Sequence, residues 1–345
     1  METCDVLDRY PIRSVFRKTR KPALFSSSFS PALCRSETRV NKMFILGLGY
    51  FGKYFASQLK TRHDGWEVLG TCKSASKKEK LEEMGFNPIL FNSNDPESRS
   101  LNSLQDVTHL LISIPPIPGL GDPVLCLHQD LLRSKLGNGY LQWLCYLSST
   151  SVYGDCGGAL VDEDYPINAM REPAKARLAA EKGWLDLGHD LGVPVNIFRL
   201  GGIYGPGRSA VDTIIKQESL SNDQKMRESR HYTARIHVAD ICQALMASID
   251  IPSSGGIYNV VDDDPAPRAE VFAFARALIE KRWPGQIKES PTPDNVDSII
   301  RKKNTRGEKR VSNNRVKKEL GVTLLHPTYH SGLQSIVESM ENPFQ

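Results

Sequence analysis

Three glycines at fixed spacing are the residues best suited to chemistry. The stretch FILGLGYFGKYFASQLK (44–60) ends an apolar run on Gly47, Gly49 and Gly52, in the pattern G-x-G-x-x-G. It then continues with Phe51, Phe55 and Leu59 at helical spacing. Each glycine has its own mechanical role. The first permits a tight turn, the second lets backbone approach a diphosphate, and the third lets helix and strand pack closely. The helix that follows offers unpaired N–H groups and a partial positive charge to phosphate oxygens. A dinucleotide is the expected ligand. Tyr50 and Phe51 within the loop, and Ile114 and Pro115 where the fourth strand stops, complete the expected cofactor contacts.

The end of the second strand selects between dinucleotides. An NAD site needs an acid there, about 20 residues on, to accept from the ribose 2′-hydroxyl. This chain reads GTCKSASKK (70–78), with no acid and several cations. Lys73, with Thr71 and Ser74 as hydroxyl donors, suits a 2′-phosphate, so NADP(H) is expected over NAD(H). Lys77 and Lys78 read as an exposed helix face.

The elements that must position these residues alternate. Apolar runs at MFILGL (43–48), WEVLGTC (66–72), NPILFN (87–92), THLLISI (108–114), LQWLCYLSS (141–149) and VPVNIFRL (193–200) read as strands. Helical patterns separate them, including PVLCLHQDLLRSKLG (123–137) and PAKARLAAEKGWLDLG (173–188). This is the signature of an α/β fold, a doubly wound parallel sheet of the Rossmann kind. The expected dinucleotide-binding core is 42–204, completed by 235–262. Residues 205–234 and 263–345 are expected to form a small substrate-side lid and a C-terminal segment. After Gly205 the pattern loosens, although VADICQALMASI (238–249) and RAEVFAFARALIEKRW (268–283) read as helices and GGIYNVV (255–261) as a strand. The polar, proline-broken stretch 289–310 reads as a substrate-side or solvated loop.

Bulk properties narrow the function classes. The 345 residues are 40% apolar and 24% charged, and no apolar run approaches the roughly 18 residues of a membrane helix. The net charge of +4 sits in residues 1–40, which hold eight Lys/Arg against four acids. The remainder is neutral, so neither a nucleic-acid nor a membrane partner is expected. The seven cysteines are dispersed without a Cys-x-x-Cys pair, which argues against a zinc or redox motif and fits a reducing compartment. Residues 1–41 are basic, serine-rich and free of acid between Tyr10 and Arg35, the composition of an organelle transit peptide. The serines favour a chloroplast over a mitochondrion; Glu2, Asp5 and Asp8 run against the pattern, and a tail without an address is the alternative.

From YLSSTSVYGD (146–155) onward the chain resembles an extended short-chain dehydrogenase/reductase, the group of sugar-nucleotide epimerases and dehydratases. VDEDYP (161–166), FRLGGIYGPGR (198–208), RIHVADI (235–241) and IYNVVDDDPAPRAEV (257–271) follow in the family's order. The resemblance covers roughly residues 43–335 and is closest to atypical members of bacteria and plant plastids. It implies a Ser or Thr on the fifth strand that holds a substrate oxygen, a Tyr that passes a proton, and a Lys four residues later that holds the ribose and lowers the phenol pKa from about 10. Ser149 matches the serine, or else bonds its local backbone. The Tyr and Lys positions align with Pro173 and Arg177, and none of the eleven tyrosines has Lys at +4. Arg177 can hold ribose or phosphate oxygens, or sit as a surface helix residue. It stays charged and cannot be the base.

On the substrate side the candidates are Tyr204, Arg208 and Arg235. Related sugar-nucleotide enzymes often carry an arginine where Thr233 stands here, which weakens a nucleotide-sugar assignment. His237 reads as a buried hydrogen-bonding residue and Asp240 as a residue fixing a loop or helix start. Asp262 to Asp264 read as turn and capping carboxylates, with no metal expected. Tyr153 reads as packing at the strand–turn junction. Two functions remain open: an oxidoreductase or epimerase-like enzyme acting on a small carbonyl or hydroxyl metabolite, or a non-catalytic NADP(H) sensor or scaffold. A homodimer is compatible with either.

Overall fold

Seven of the apolar runs form a single parallel sheet in the computed structural model, which describes residues 40–62, 65–92, 99–216, 230–251, 255–287 and 308–344. Residues 1–39 of the expected leader, and most of the polar stretch 289–310, lie outside the described residues. The strands are β1 (Asn41–Leu46), β2 (Trp66–Cys72), β3 (Pro88–Leu90), β4 (His109–Ile112), β5 (Trp143–Ser149), β7 (Val195–Leu200) and β10 (Gly256–Val260). Short strands β6 (Leu160–Val161), β8 (Gly202–Tyr204), β9 (Arg235–His237) and β11 (Arg310–Val311) pair outside the main sheet, β6 with β11 and β8 with β9. The main order is β10-β7-β5-β4-β1-β2-β3. Strand order reverses at β1, which has β2 on one side and β4 on the other. A crevice at the carboxyl ends of β1 and β4 follows from that reversal.

The helices are α1 (Tyr50–Arg62), α2 (Ala75–Glu83), α3 (Pro123–Leu136), α4 (Glu172–Leu191), α5 (Ala210–Ile215), α6 (Val238–Asp250), α7 (Arg268–Arg282), α8 (Asn314–Leu320) and α9 (Tyr329–Ser339). The two-residue alternation of each strand supplies both faces of the sheet. Met43 and Ile45 meet Phe55, Leu59, Ile241 and Leu245 of α1 and α6. Phe44 and Leu46 belong to the other layer, with Leu132, Trp184 and Leu187 of α3 and α4. Strands buried on both sides are why these segments read as unbroken apolar runs. Val316, Leu320 and Val322 join the α1–α6 layer, so this part of the C-terminal segment lies on the main sheet. A separate apolar cluster joins Tyr204, Val211, Val271, Ala275, Tyr329 and Leu333 from β8, α5, α7 and α9.

Element boundaries differ from the sequence reading where chain termination is local. β4 stops at Ile112, two residues early; Ser113 still donates its N–H to the Leu46 carbonyl, and Ile114 lies against Gly47. The sequence reading assigns no helix to 329–339, although Tyr329, Leu333, Ile336 and Val337 of α9 share one apolar face and Thr328 and Ser331 form a reciprocal capping box that starts it.

One charged residue interrupts the apolar run of β7. Arg199 is buried and donates through Nε and NH2 to the carboxylate of Glu181 on α4, the NH2–Oε2 distance being 2.8 Å. Ser148 of β5 donates to the same carboxylate, and Arg199 also donates to the Tyr153 hydroxyl. That hydroxyl donates in turn to Asn259 Oδ1 on β10. The network ties three adjacent strands to α4. Removing Glu181 or Arg199 leaves the other's buried charge uncompensated, a loss of about 3–5 kcal/mol. Glu181→Ala is therefore expected to lower urea-unfolding stability by an amount of that order. A change below about 1 kcal/mol would refute the assignment of this pair as a structural tie.

Candidate functional site

The turn between β1 and α1 is shaped by what its glycines lack. Gly47 has φ +105°, a conformation that side chains rarely adopt, and Ile114 covers it from the end of β4. A Cβ on Gly52 would lie 2.3 Å from the Gly47 carbonyl oxygen, so only glycine lets α1 come this close. A Cβ on Gly49 would meet nothing within 4 Å. The second glycine thus faces open space beside the first turn of α1, which contains no acidic residue. The positive end of α1 and the open approach at the second glycine suit a diphosphate.

The loop is pinned from β2. The Gly47 N–H donates to Thr71 Oγ1 at 2.9 Å, and the Leu48 N–H to the Thr71 carbonyl at 2.7 Å. Thr71 is 1% exposed, so its hydroxyl braces the glycine turn from beneath and is not presented to a ribose phosphate, in contrast to the sequence expectation. Phe51 is likewise a core residue, stacked on Phe55; only its backbone is available to a cofactor. Lys73 emerges at the end of β2, exposed and without a hydrogen bond or ion pair among the described residues. Ser74 beside it caps α2 by accepting from the Lys77 N–H. Lys78 pairs with Glu82 along the exposed face of α2. Ile114 is half-buried and Pro115 exposed at the mouth of the crevice.

At the end of β5, the Ser149 hydroxyl accepts from the Ser151 N–H at 3.2 Å and caps a 3-10 turn, Thr150–Tyr153. Its own proton is not consumed by that bond. Tyr153 is fully buried at the strand–turn junction in the Arg199 network. Arg177 is half-buried on α4, and its guanidinium faces the phenol of Tyr146 on β5 without forming a well-aligned hydrogen bond. Burial drives the Tyr146 phenol above its usual range, and Arg177 offsets part of that rise.

The substrate-side candidates divide sharply. Tyr204 is buried, edge-on to His237, at a place where a Cβ on Gly332 would lie 2.2 Å from its hydroxyl oxygen. Arg235 is 9% exposed and donates to the carbonyls of Asp264 and Ala266 and to the Thr233 hydroxyl, with its guanidinium over the Tyr329 ring. Both are packed into the cluster of β8, α7 and α9, whereas the sequence reading expects them to face a substrate. Arg208 alone of the three is exposed, 5.4 Å from the Tyr50 ring centroid.

His237 and Asp240 have the structural duties expected of them. His237 Nδ1 accepts from the Ala239 N–H at the start of α6, and burial, helped by nearby His326, holds its pKa down to about 2. Asp240 accepts from the N–H groups of Leu325 and His326, yet burial raises its carboxyl to about 7. Asp263 meets Asn313 and Lys317, and Asp264 meets His330. Among the described residues no His/Cys/Asp/Glu group has metal-binding geometry.

Glu181, Arg199, Asn259 and Tyr146 were not anticipated as a set. The available signal was Arg199 itself, since an arginine inside VNIFRL demands a buried anion.

A family model for the NAD dependent epimerase/dehydratase family matches residues 135–261. Protein YeeZ of Escherichia coli (strain K12) is 30% identical over 259 residues, covering 73% of this chain and 88% of that protein. The structure of a conserved protein from Silicibacter pomeroyi DSS is 31% identical, with a TM-score of 0.66 and coverage of 88% and 100%. UDP-glucuronic acid 4-epimerase from Bacillus cereus, solved in complex with NAD, shares the fold at 17% identity, a TM-score of 0.60 and coverage of 86% and 98%.

The glycines separate folding from binding. Gly49→Ala is expected to leave the thermal midpoint within about 2 °C of the parent, because its Cβ enters open space, while weakening dinucleotide binding at least roughly tenfold. Gly52→Ala must displace α1 and lowers both. Equal thermal midpoints for the two variants in a melting experiment would contradict this geometry.

Proposed function

This chain belongs to the NAD dependent epimerase/dehydratase family, and we propose from that premise that it is an extended short-chain dehydrogenase/reductase-like enzyme taking NADP(H). It acts on a small carbonyl or hydroxyl metabolite through a site without the Tyr-x-x-x-Lys pair. The observation that carries this reading is the open glycine turn at Gly49, backed by the first turn of α1 and braced by Thr71.

The cofactor preference rests on Lys73. It is the exposed cation at the end of β2 where an NAD site carries an acid. Ser74 adds a hydroxyl at the N-terminus of α2. NAD is bound in the Bacillus cereus epimerase, so the preference for the phosphorylated form is particular to this chain's β2 end.

When bound, a nicotinamide dinucleotide supplies hydride transfer. The chain's own residues bind and orient. The Ser149 hydroxyl already accepts one backbone bond and keeps its proton to donate to a substrate oxygen. Arg177 stays charged, so it can fix an oxygen and polarise the nearby Tyr146 phenol but cannot accept a proton. Thr233 donates to the Ala266 carbonyl, and the neighbouring Arg235 guanidinium is buried and committed to the Thr233 hydroxyl and to the Asp264 and Ala266 carbonyls, away from any nucleotide diphosphate. A small substrate suits this better than a nucleotide sugar.

A second reading is a non-catalytic NADP(H) sensor or scaffold. It is favoured by the capping role of Ser149 and by Pro173 and Arg177 at the expected Tyr and Lys positions. The basic, serine-rich leader supports a chloroplast location for either reading.

Isothermal titration is expected to show NADPH binding tighter than NADH, and Lys73→Glu to reverse the order through a change of roughly tenfold or more. Tighter NADH binding by the parent protein would remove the NADP assignment. Loss of NADPH absorbance with at least one compound in a carbonyl panel is the expected sign of turnover. A uniformly silent panel with bound NADPH would establish the sensor reading. Residues 1–60 fused to a fluorescent protein should enter plastids in plant cells, and diffuse cytosolic signal would reject the location.

A further inference from the structure

The amino edge of the sheet, opposite the glycine turn, encloses a cavity of its own. Strands β1, β2 and β4 begin there, at Asn41, Trp66 and His109. Helices α1 and α6 run back to the same edge and bring Leu59, Met246 and Asp250 to it. These residues line a cavity of about 280 Å³. A cavity of about 150 Å³ admits benzene, so this one has room for a single ring with a short arm.

His109 presents a defined hydrogen-bonding edge to this space. The Thr108 hydroxyl accepts from the Lys42 N–H at 2.8 Å and donates to the Lys42 carbonyl at 3.1 Å. Its one proton is spent there, so in its 2.8 Å contact with His109 the imidazole Nδ1–H is the donor. Nε2 is left as a lone pair. It has no partner among the described residues and is not sealed from the cavity that His109 lines. Burial holds the imidazole down to about 4, so it is neutral near neutral pH and does not repel a cation. Trp66 meets the His109 ring edge-on at 4.6 Å and supplies an aromatic wall.

Charge at the rim has one sign. Asp250 is the last residue of α6, at the negative end of the helix, and the last turn holds no basic residue. It is exposed and has no ion pair among the described residues. Lys42, beside Asn41, is spent on Glu67 and Asp106. Among the described residues no lysine or arginine lines the cavity. A carboxylate added to a helix C-terminus, next to an aromatic wall, favours a cation and disfavours phosphates and carboxylates.

We propose that this cavity binds a small monocyclic aromatic amine: the ring lies against Trp66 and the apolar floor of Leu59 and Met246, a ring hydroxyl or N–H donates to His109 Nε2, and the ammonium meets Asp250 and the carbonyl end of α6. The site shares no residue with the glycine turn, so it stands apart from the dinucleotide reading. β1, β2 and α1 contribute to both, at opposite ends.

The test is NMR titration of the full chain, following the His109 imidazole protons, which are assigned by their loss in His109→Phe. The probes are tyramine and 4-hydroxyphenylacetate, which share a phenol ring and differ in the charge of the arm. Tyramine is expected to shift the His109 signals saturably below about 10 mM, with 4-hydroxyphenylacetate at least roughly tenfold weaker. Phenethylamine, which lacks the hydroxyl, is expected to bind more weakly than tyramine. Asp250→Asn is expected to weaken tyramine about threefold or more, the scale of an exposed ion pair, and to narrow the preference over the acid. Thermal melting controls for folding, and removing a carboxylate from a helix C-terminus should leave the midpoint at or above that of the parent. Equal affinity for tyramine and 4-hydroxyphenylacetate overturns the inference. Tyramine affinity unchanged in Asp250→Asn also overturns it, and so does the absence of any saturable shift, which would leave a cavity filled by solvent only. Failure of the protein to bind NADPH would leave all these outcomes untouched, so the two readings fail separately.

Discussion

The approach of α1 to the end of β1 is the constraint on which the rest of the molecule depends. Helix and strand meet with no side chain between Gly52 and the Gly47 carbonyl. That contact aims the helix axis at the crevice between β1 and β4, where the strand order reverses. The positive end of the helix and the open backbone at Gly49 therefore coincide. Thr71 supports the turn from the neighbouring strand and Ile114 from the strand on the other side. The cradle is thus a product of three strands, β1, β2 and β4.

Below the fifth strand a polar tie takes the place of apolar packing. Glu181, Arg199, Ser148, Tyr153 and Asn259 lie between α4 and the β5–β7–β10 half of the sheet. Its cost in desolvation is offset only because each member is bonded to the next. Rigid placement of the β5 end follows, and with it the position of Ser149 and of the 3-10 turn. Arg177, one helical turn before Glu181, inherits its orientation from the same anchored helix. Ser149 and Arg177 therefore stand on a rigid floor.

The legible part of the sequence was the part governed by short-range pattern. Strands buried on both faces appear as apolar runs, and G-x-G-x-x-G between a strand and a helix implies a close backbone approach by itself. The substrate side was not legible in this way. Tyr204 and Arg235 look like polar residues in a loop, but Gly332, far along the chain, admits the Tyr204 ring into a buried cluster. Likewise nothing near Thr71 in sequence announces that its oxygen accepts from Gly47. Such assignments depend on partners brought together by the fold. Arg208 kept its exposure, yet its neighbour Tyr50 is 158 positions earlier in the numbering.

The location of the late helices bears on how the chain acquires its shape. Val316 and Leu320 cover the layer over α1 and α6, and Asp240 accepts from the amides of Leu325 and His326. Half of the sheet's cover is therefore incomplete until synthesis has passed residue 326. A nascent chain emerging in order would expose the apolar side of α6 and β10 throughout that interval, a state prone to aggregation. Completion of this layer therefore waits on the last part of the chain to be made.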